Sequence, residues 1–297
     1  MNGIVSPFSA IAGAGLVHAH SGRSLLTAGG ETLAAPAPPA DDELAALLPH
    51  VSLRRIPRYA RLALLAAIRA LDDAGWRQAP DMRDTALVIG TAYSGAQMSM
   101  DFMDSILDGG PRLASPTAFS HAVNNMGAGL LSLLLDMQGP CLTVSQFELS
   151  FAGAVCAATA LLHAGRARRA LVGKVDEVDD RFTRCCPQIQ KNGVAQTEGA
   201  AFLCLVLPDQ TRPTLRVRWE GKADVLHPLF VSGCARSGED GSRRHERLYG
   251  HGPLAQALDT LLALHAVLNE TAARAGCLCR AAGGEHTALI EIRSAQP

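Results

Sequence analysis

The stretch TVSQFELSFAG, Thr143 to Gly153, reads as a short β-strand that runs through a sharp turn into a helix of small residues. Such an elbow leaves its tip residue beside a helix N-terminus, where unpaired N–H groups stabilise negative charge, lower a thiol's pKa and activate a nucleophile. The tip residue here is Glu148. A carboxylate is comfortable in that place but is a poor acyl acceptor. The sequence therefore predicts a site shaped for transfer chemistry and unfit to perform it.

Working outward from the elbow, strands alternate with helices. TALVIGTAYSG (85–95) is an apolar run ending in turn residues, as expected of a buried strand that delivers a loop to one edge of a sheet. RYARLALLAAIRALDDAGW (58–76) has apolar residues at helical spacing and a C-cap candidate in Gly75. AVNNMGAGLLSLLLDMQ (122–138) reads as a helix stopping at Gly139-Pro140, and Ala152 to Gly165 as a helix rich in Ala and Gly. RALVGKVDEVD and TEGAAFLCLVLPD are two further strands, the first with a polar exit. Residues 209–248 turn rich in charge, Gly and Pro around one alternating run, TLRVRWEG, which places a half-domain boundary near 210 and gives halves 1–210 and 211–297. A helix from about Pro253 to Ala275 and a closing strand, HTALIEIR, complete the chain, and GGETLAAPAPPADD (29–42) reads as a surface loop. The pattern predicts an α/β layered fold with mainly buried sheets.

Composition excludes several classes. The 297 residues are 48% hydrophobic and carry a formal charge of -1, so nothing points to nucleic acid or an anionic membrane. The N-terminal segment lacks a basic n-region and contains Pro7, which argues for a first strand and its turn against a signal peptide. No apolar run is long enough to cross a membrane. The eight cysteines follow no metal spacing and read as reduced thiols of a cytoplasmic protein, with a disulfide framework as the other reading. His121, His163 and His265 lack mutual metal spacing, and KVDEVDD lacks the Gly and terminal Glu of a calcium loop. No Gly-x-Ser-x-Gly is present, which argues against an esterase built on Ser150. No metal or cofactor is expected.

The elbow and its surroundings resemble the β-ketoacyl synthases of the thiolase superfamily. The pattern is Gly-Pro, a strand, a nucleophile nine positions after the glycine, then Ser and small residues leading to a glycine. Here these are Gly139-Pro140, Glu148, Ser150 and Gly165, with no gap. ASPTAFSHAVNNMGAGLLSLLLDMQGP is similar to the segment before the family's nucleophile, TEGAAFLCLVL to the strand closing its first half, YGHGPLAQALDTLLALHAVLNE to its Gly-His motif and helix, and AAGGEHTALIEI to its final turn and strand. The resemblance implies a thiolase-like α-β-α-β-α fold, with a second half shorter than in full-length synthases.

Departures from the family pattern carry the functional expectation. Glu148 stands where the resemblance implies a cysteine, and Glu246 where it implies a lysine five residues before His251. No His-Gly-Thr-Gly-Thr motif occurs, so His251 is the one assisting group left. The resemblance is then to the cysteine-less chain-length factor that pairs with a cysteine-bearing ketosynthase in type II polyketide systems, of the short aryl-polyene type. It implies a heterodimer that draws on an acyl carrier protein, with Cys141 to Gln146 paired across the twofold. A decarboxylase acting on malonyl carrier protein, or a degenerate synthase working alone, is the alternative from another class.

Two further features have double readings. Met98, Met100, Phe102 and Met103 suit either the lining of an acyl channel or ordinary packing, with Phe102 the strongest candidate for a ring that blocks a tube. Arg54, Arg55, Arg58 and Arg61, with Arg166, Arg168 and Arg169, suit either docking of an acidic carrier protein or a solvated face.

Overall fold

The apolar runs form a single ten-stranded mixed sheet in a computed structural model that describes residues 4–18, 41–78, 82–178, 181, 184, 198–220, 230–233, 254–269, 273–280 and 286–295. In chain order the elements are β1 (Ile4–Val5), β2 (Ser9–His18), α1 (Asp41–Leu47), α2 (Arg58–Asp73), β3 (Thr85–Gly90), α3 (Ala96–Gly109), α4 (Pro116–His121), α5 (Met126–Leu134), β4 (Cys141–Val144) and α6 (Ser150–His163). They continue with β5 (Arg169–Asp176), β6 (Gly199–Val206), β7 (Thr214–Glu220), β8 (Phe230–Gly233), α7 (Ala255–Leu268), β9 (Arg274–Arg280) and β10 (Thr287–Arg293). The strand order is β4-β3-β5-β6-β2-β7-β10-β9-β8, with β1 joined to β7.

Side-chain alternation divides the sheet into two packed faces. Leu87, Ile89, Leu171, Val175 and Phe202 pack with α2 and α5, while Val88, Ala170, Val172, Leu203 and Leu205 pack with α6 and α7. The same α6–α7 layer also covers Leu215, Val217, Cys277, Ile290 and Ile292 of β7, β9 and β10. The described residues thus build an α-β-α-β stack in which the elbow helix is buried between two parts of the sheet. Small residues permit this closeness. A Cβ on Gly15 of β2 would stand 2.2 Å from the Ala66 carbonyl oxygen of α2.

Two helix ends follow the sequence signals. Gly75 (φ 68°) and Gly165 (φ 66°) take the left-handed conformation after α2 and α6. The next residues close the turns, Trp76 N–H on Leu71 O and Arg166 N–H on Leu161 O. Three expectations need correcting. The helix expected over 122–138 runs only from Met126 to Leu134, because Asp136 (φ 49°) supplies the left-handed turn and Met137 N–H caps Ser132 O. The helix expected from 253 to 275 ends at Leu268, and Arg274–Arg280 is a strand instead. Asp41 and Asp42, assigned to a loop, open α1.

Beyond β7 the outer face carries a charge cluster. Glu291 faces Arg216 across β10–β7 and also bonds Arg274 and Arg293. Burial alone pushes the Glu291 carboxyl up, but hydrogen bonds from Arg274, Arg216 and Arg293 override it and hold the pKa down at about 2. The unfolded chain therefore binds more protons between its ordinary value of 4.5 and about 2, and this stabilisation, complete above 4.5, is lost as pH falls through that window. Glu291→Gln is expected to destabilise the protein at neutral pH and to flatten the acid limb between pH 4.5 and 2, read by urea unfolding at stepped pH.

Candidate functional site

The elbow is assembled from three neighbouring strands. Among the described residues β4 pairs only with β3, in parallel, and so lies at the edge of the sheet. After Val144 the chain leaves the ladder, Phe147 takes a left-handed φ of 49°, a single 3-10 turn spans Phe147–Leu149, and α6 begins at Ser150. Gly90, the last residue of β3, makes room for this: a Cβ there would lie 2.6 Å from the Ser150 carbonyl oxygen. The Ser150 hydroxyl, fully buried, ties the turn together. It accepts from Gln146 N–H at 2.9 Å and lies 2.7 Å from Phe147 O and 2.9 Å from Thr91 O.

Beneath the turn is a charge that the sequence reading passed over. Lys174, on the β5 face shared by Ala170 and Val172, is 0% exposed. Its ammonium donates to Phe147 O at 2.9 Å and to Glu148 O at 3.4 Å. Burial pushes its pKa down, against the opposing pull of Asp176, Cys279 and Glu148. Asp176, two residues along the same strand, accepts from Thr91 Oγ1, Ala92 N–H and Tyr93 N–H at 3.0, 2.8 and 3.1 Å. Burial pushes the Asp176 carboxyl up despite Lys174 and those donors. The pair fixes both loops that frame the site, β3–α3 and β4–α6. A lysine inside an otherwise apolar strand run was the available signal for it.

The tip itself carries a carboxylate and neither a thiol nor a hydroxyl. Glu148 is half-buried, and its carbonyl oxygen is directed inward to Lys174 and, at 3.6 Å, to the thiol of Cys279. That thiol is 1% exposed on the inner side of the elbow, shut away from solvent. The first turn of α6 is also closed from within, since Ala152 N–H donates to the side-chain oxygen of Gln256 on α7 at 3.2 Å. The elbow thus keeps a rigid frame around a carboxylate, with no thiol or hydroxyl at its tip.

The other sequence candidates are spread around this frame. Cys141 and Gln146 are exposed at the β4 edge, and the Gln146 amide folds over Gly153, where a Cβ would meet it at 2.5 Å. Met98, Met100, Phe102 and Met103 all lie on α3, with Phe102 tilted against Phe119 of α4 at 5.3 Å and Met103 half-exposed. The arginines divide. Arg58 is paired with Glu198, Arg61 with Asp41 and the exposed Arg168 with Asp84, and Arg169 stacks over Trp76 at 5.3 Å, whereas Arg54 and Arg55 point to solvent. His251 and Glu246 lie outside the described residues. His163 and His265 make local contacts with Phe8 O and Asn269. Among the described residues no group of three potential ligands could hold a metal ion, and no helix is long and apolar enough to cross a membrane.

Solved structures with the same architecture include an ishigamide ketosynthase/chain length factor, with a TM-score of 0.72, 18% identity and full coverage of both chains. They also include a type II polyketide synthase acyl-carrier protein in complex with its ketosynthase bound to the hexaketide, with a TM-score of 0.75, 15% identity and coverage of 97% and 99%. A β-ketoacyl synthase from Burkholderia phymatum STM815 matches at 0.71 and 17%, over 98% and 100% of the two chains. The thiolase-like ketosynthase fold is therefore that of this protein. In sequence, 3-oxoacyl-[acyl-carrier-protein] synthase 2 of Rhizobium meliloti (strain 1021) is 32% identical over 89 residues, 29% of this chain and 21% of its own. The chloroplastic 3-oxoacyl-[acyl-carrier-protein] synthase I of Hordeum vulgare is 23% identical over 178 residues, 51% of this chain and 38% of its own. Those alignments span well under half of either relative. Residues 30–205 match the model of the β-ketoacyl synthase N-terminal domain, more than half of the sequence, and on that ground the chain belongs to the β-ketoacyl synthase family.

Proposed function

We propose that this chain is a cysteine-less, chain-length-determining subunit that works beside a cysteine-bearing ketosynthase in type II, aryl-polyene-like chain elongation. One observation carries the reading: an internally braced elbow presents Glu148 where an acyl group would be held, next to an edge strand with no outer partner among the described residues. A partner of the same fold brings an equivalent edge to meet β4 and supplies the missing thiol. Exposed Arg54 and Arg55 offer positive charge to an acidic carrier protein.

Co-expression with a cysteine-bearing ketosynthase, with and without its carrier protein, tests the proposal by size exclusion and native mass spectrometry. The expected result is a stable one-to-one pair that elongates, while the isolated chain neither acquires an acyl group nor releases carbon dioxide from malonyl carrier protein. Carbon dioxide release by the isolated chain, abolished in His251→Ala, would favour a decarboxylase instead. Within the pair, α3 is the proposed channel element, and Phe102→Ala is expected to shift product masses toward longer chains, with Phe119 left without the ring it packs on. An unchanged product distribution would return Phe102 to ordinary packing.

A further inference from the structure

We propose that Phe147 is the anchor of the partner interface, an aromatic ring held out from the elbow to seat in an apolar pocket of the ketosynthase. The inference rests on the pairing reading above. It starts from backbone strain: a left-handed φ at a bulky residue costs about 1–3 kcal/mol and persists only where the surroundings over-determine it. Here they do. Phe147 O takes the Lys174 ammonium from below and lies against the Ser150 hydroxyl, and Leu149 N–H closes on Gln146 O at 3.0 Å.

Strain of this kind would be needless for a ring that packed at home, yet the Phe147 side chain is 62% exposed. It touches Tyr93 edge-on at 6.4 Å and otherwise projects from the protein. A ring fixed in advance loses little entropy on docking, which is the property of an interface anchor.

The neighbouring surface says what covers it. Leu142 on β4 is 42% exposed and Leu133 on α5, which packs beside β4, is 77% exposed. Beside Tyr93 the buried Ser94 hydroxyl donates to Asn124 O, and the chain just before Asn124 exposes Val123 and Phe119 by 43% and 58%. This apolar band borders an unpaired strand edge, so its occupant must bring both a strand and apolar surface. A ketosynthase subunit of the same fold offers both from one element pair. β4 covers about 10 Å, so the ring stands one short strand away from where a partner's own elbow falls in an antiparallel pairing.

Phe147→Gly separates binding from folding, because glycine adopts a φ of 49° without strain. The isolated variant should melt no lower than the unaltered chain, while its Kd for the ketosynthase, measured by titration calorimetry on the purified subunits, rises about 30-fold or more. Lys174→Met should weaken binding in the unaltered chain but add little in the Phe147→Gly background, since the ammonium acts through the ring it positions. A Phe147→Gly subunit that binds within threefold of the unaltered one would overturn the anchor while leaving the pairing intact. No complex even with the unaltered chain would overturn the pairing itself, and the anchor with it. Self-association of the unaltered chain, lost in Phe147→Gly, would overturn the choice of partner.

Discussion

Lys174→Ala is expected to lower the unfolding free energy by about 3–5 kcal/mol. Three effects add. The side chain is fully buried, so truncation leaves a cavity in the α6–β5 interface. The carbonyls of Phe147 and Glu148 lose a charged donor. Asp176 loses the cation that opposes its burial and keeps an oxygen, Oδ2, with no hydrogen-bond partner. Lys174→Met should cost only about 1–2 kcal/mol, because methionine fills the volume and ends the expense of burying the ammonium, while Asp176 responds by taking a proton. Urea unfolding of both variants measures the difference. The pH profile separates charge from shape. The folded state releases the Lys174 proton at a lower pH than the unfolded chain, whose lysine keeps it to its ordinary value of 10.5. Between those two points the unfolded state binds more protons, so the unaltered protein gains stability with rising pH, and Lys174→Met lacks this gain. An equal alkaline rise in both proteins would show that burial does not lower the Lys174 pKa.

The same lysine marks where sequence reading stops. Local signals with a steric cause were legible: Gly75 and Gly165 are left-handed because a helix must end there, and the β3, β5 and β6 runs are apolar on both sides because helices cover both faces. The elbow was legible because its spacing is set by a strand, a turn and a close glycine. What escaped depended on partners distant in the chain. Asp136 ends α5 in the way a glycine would, a choice open to Asp, Asn and Gly alike, so a reading that waited for Gly139 overshot. The strand at Arg274–Arg280 is defined by its pairing with β10 and β8. Lys174 looked like the polar end of a strand because nothing within the sequence shows that the turn 26 residues earlier lies above it. Phe147 gave no signal at all, since the left-handed backbone that exposes its ring is imposed by Ser150 and Lys174.

Thr143→Pro is expected to abolish the pair while sparing the subunit, and the reason lies in which way each residue of β4 faces. Pro140 O accepts from Leu87 N–H at 2.9 Å and Val144 O from Thr91 N–H at 3.0 Å, so the even-numbered residues of this strand bond inward to β3. In an extended strand alternate residues turn their N–H and C=O to opposite sides, which leaves Cys141 and Thr143 facing outward. Proline at 143 therefore removes a donor that β3 does not use, and edge strands tolerate it. A partner strand would lose that ladder bond and meet the pyrrolidine ring, a penalty of about 3 kcal/mol or roughly a hundredfold in Kd. Leu142→Pro is the control, because its N–H belongs to the inward set and its loss should unfold the β3–β4 pair itself. Circular dichroism melting of the isolated variants and co-purification with the ketosynthase distinguish the two: Thr143→Pro folded and alone, Leu142→Pro destabilised. A Thr143→Pro subunit that still co-purifies in a one-to-one complex would mean that the chain meets its partner somewhere other than the β4 edge.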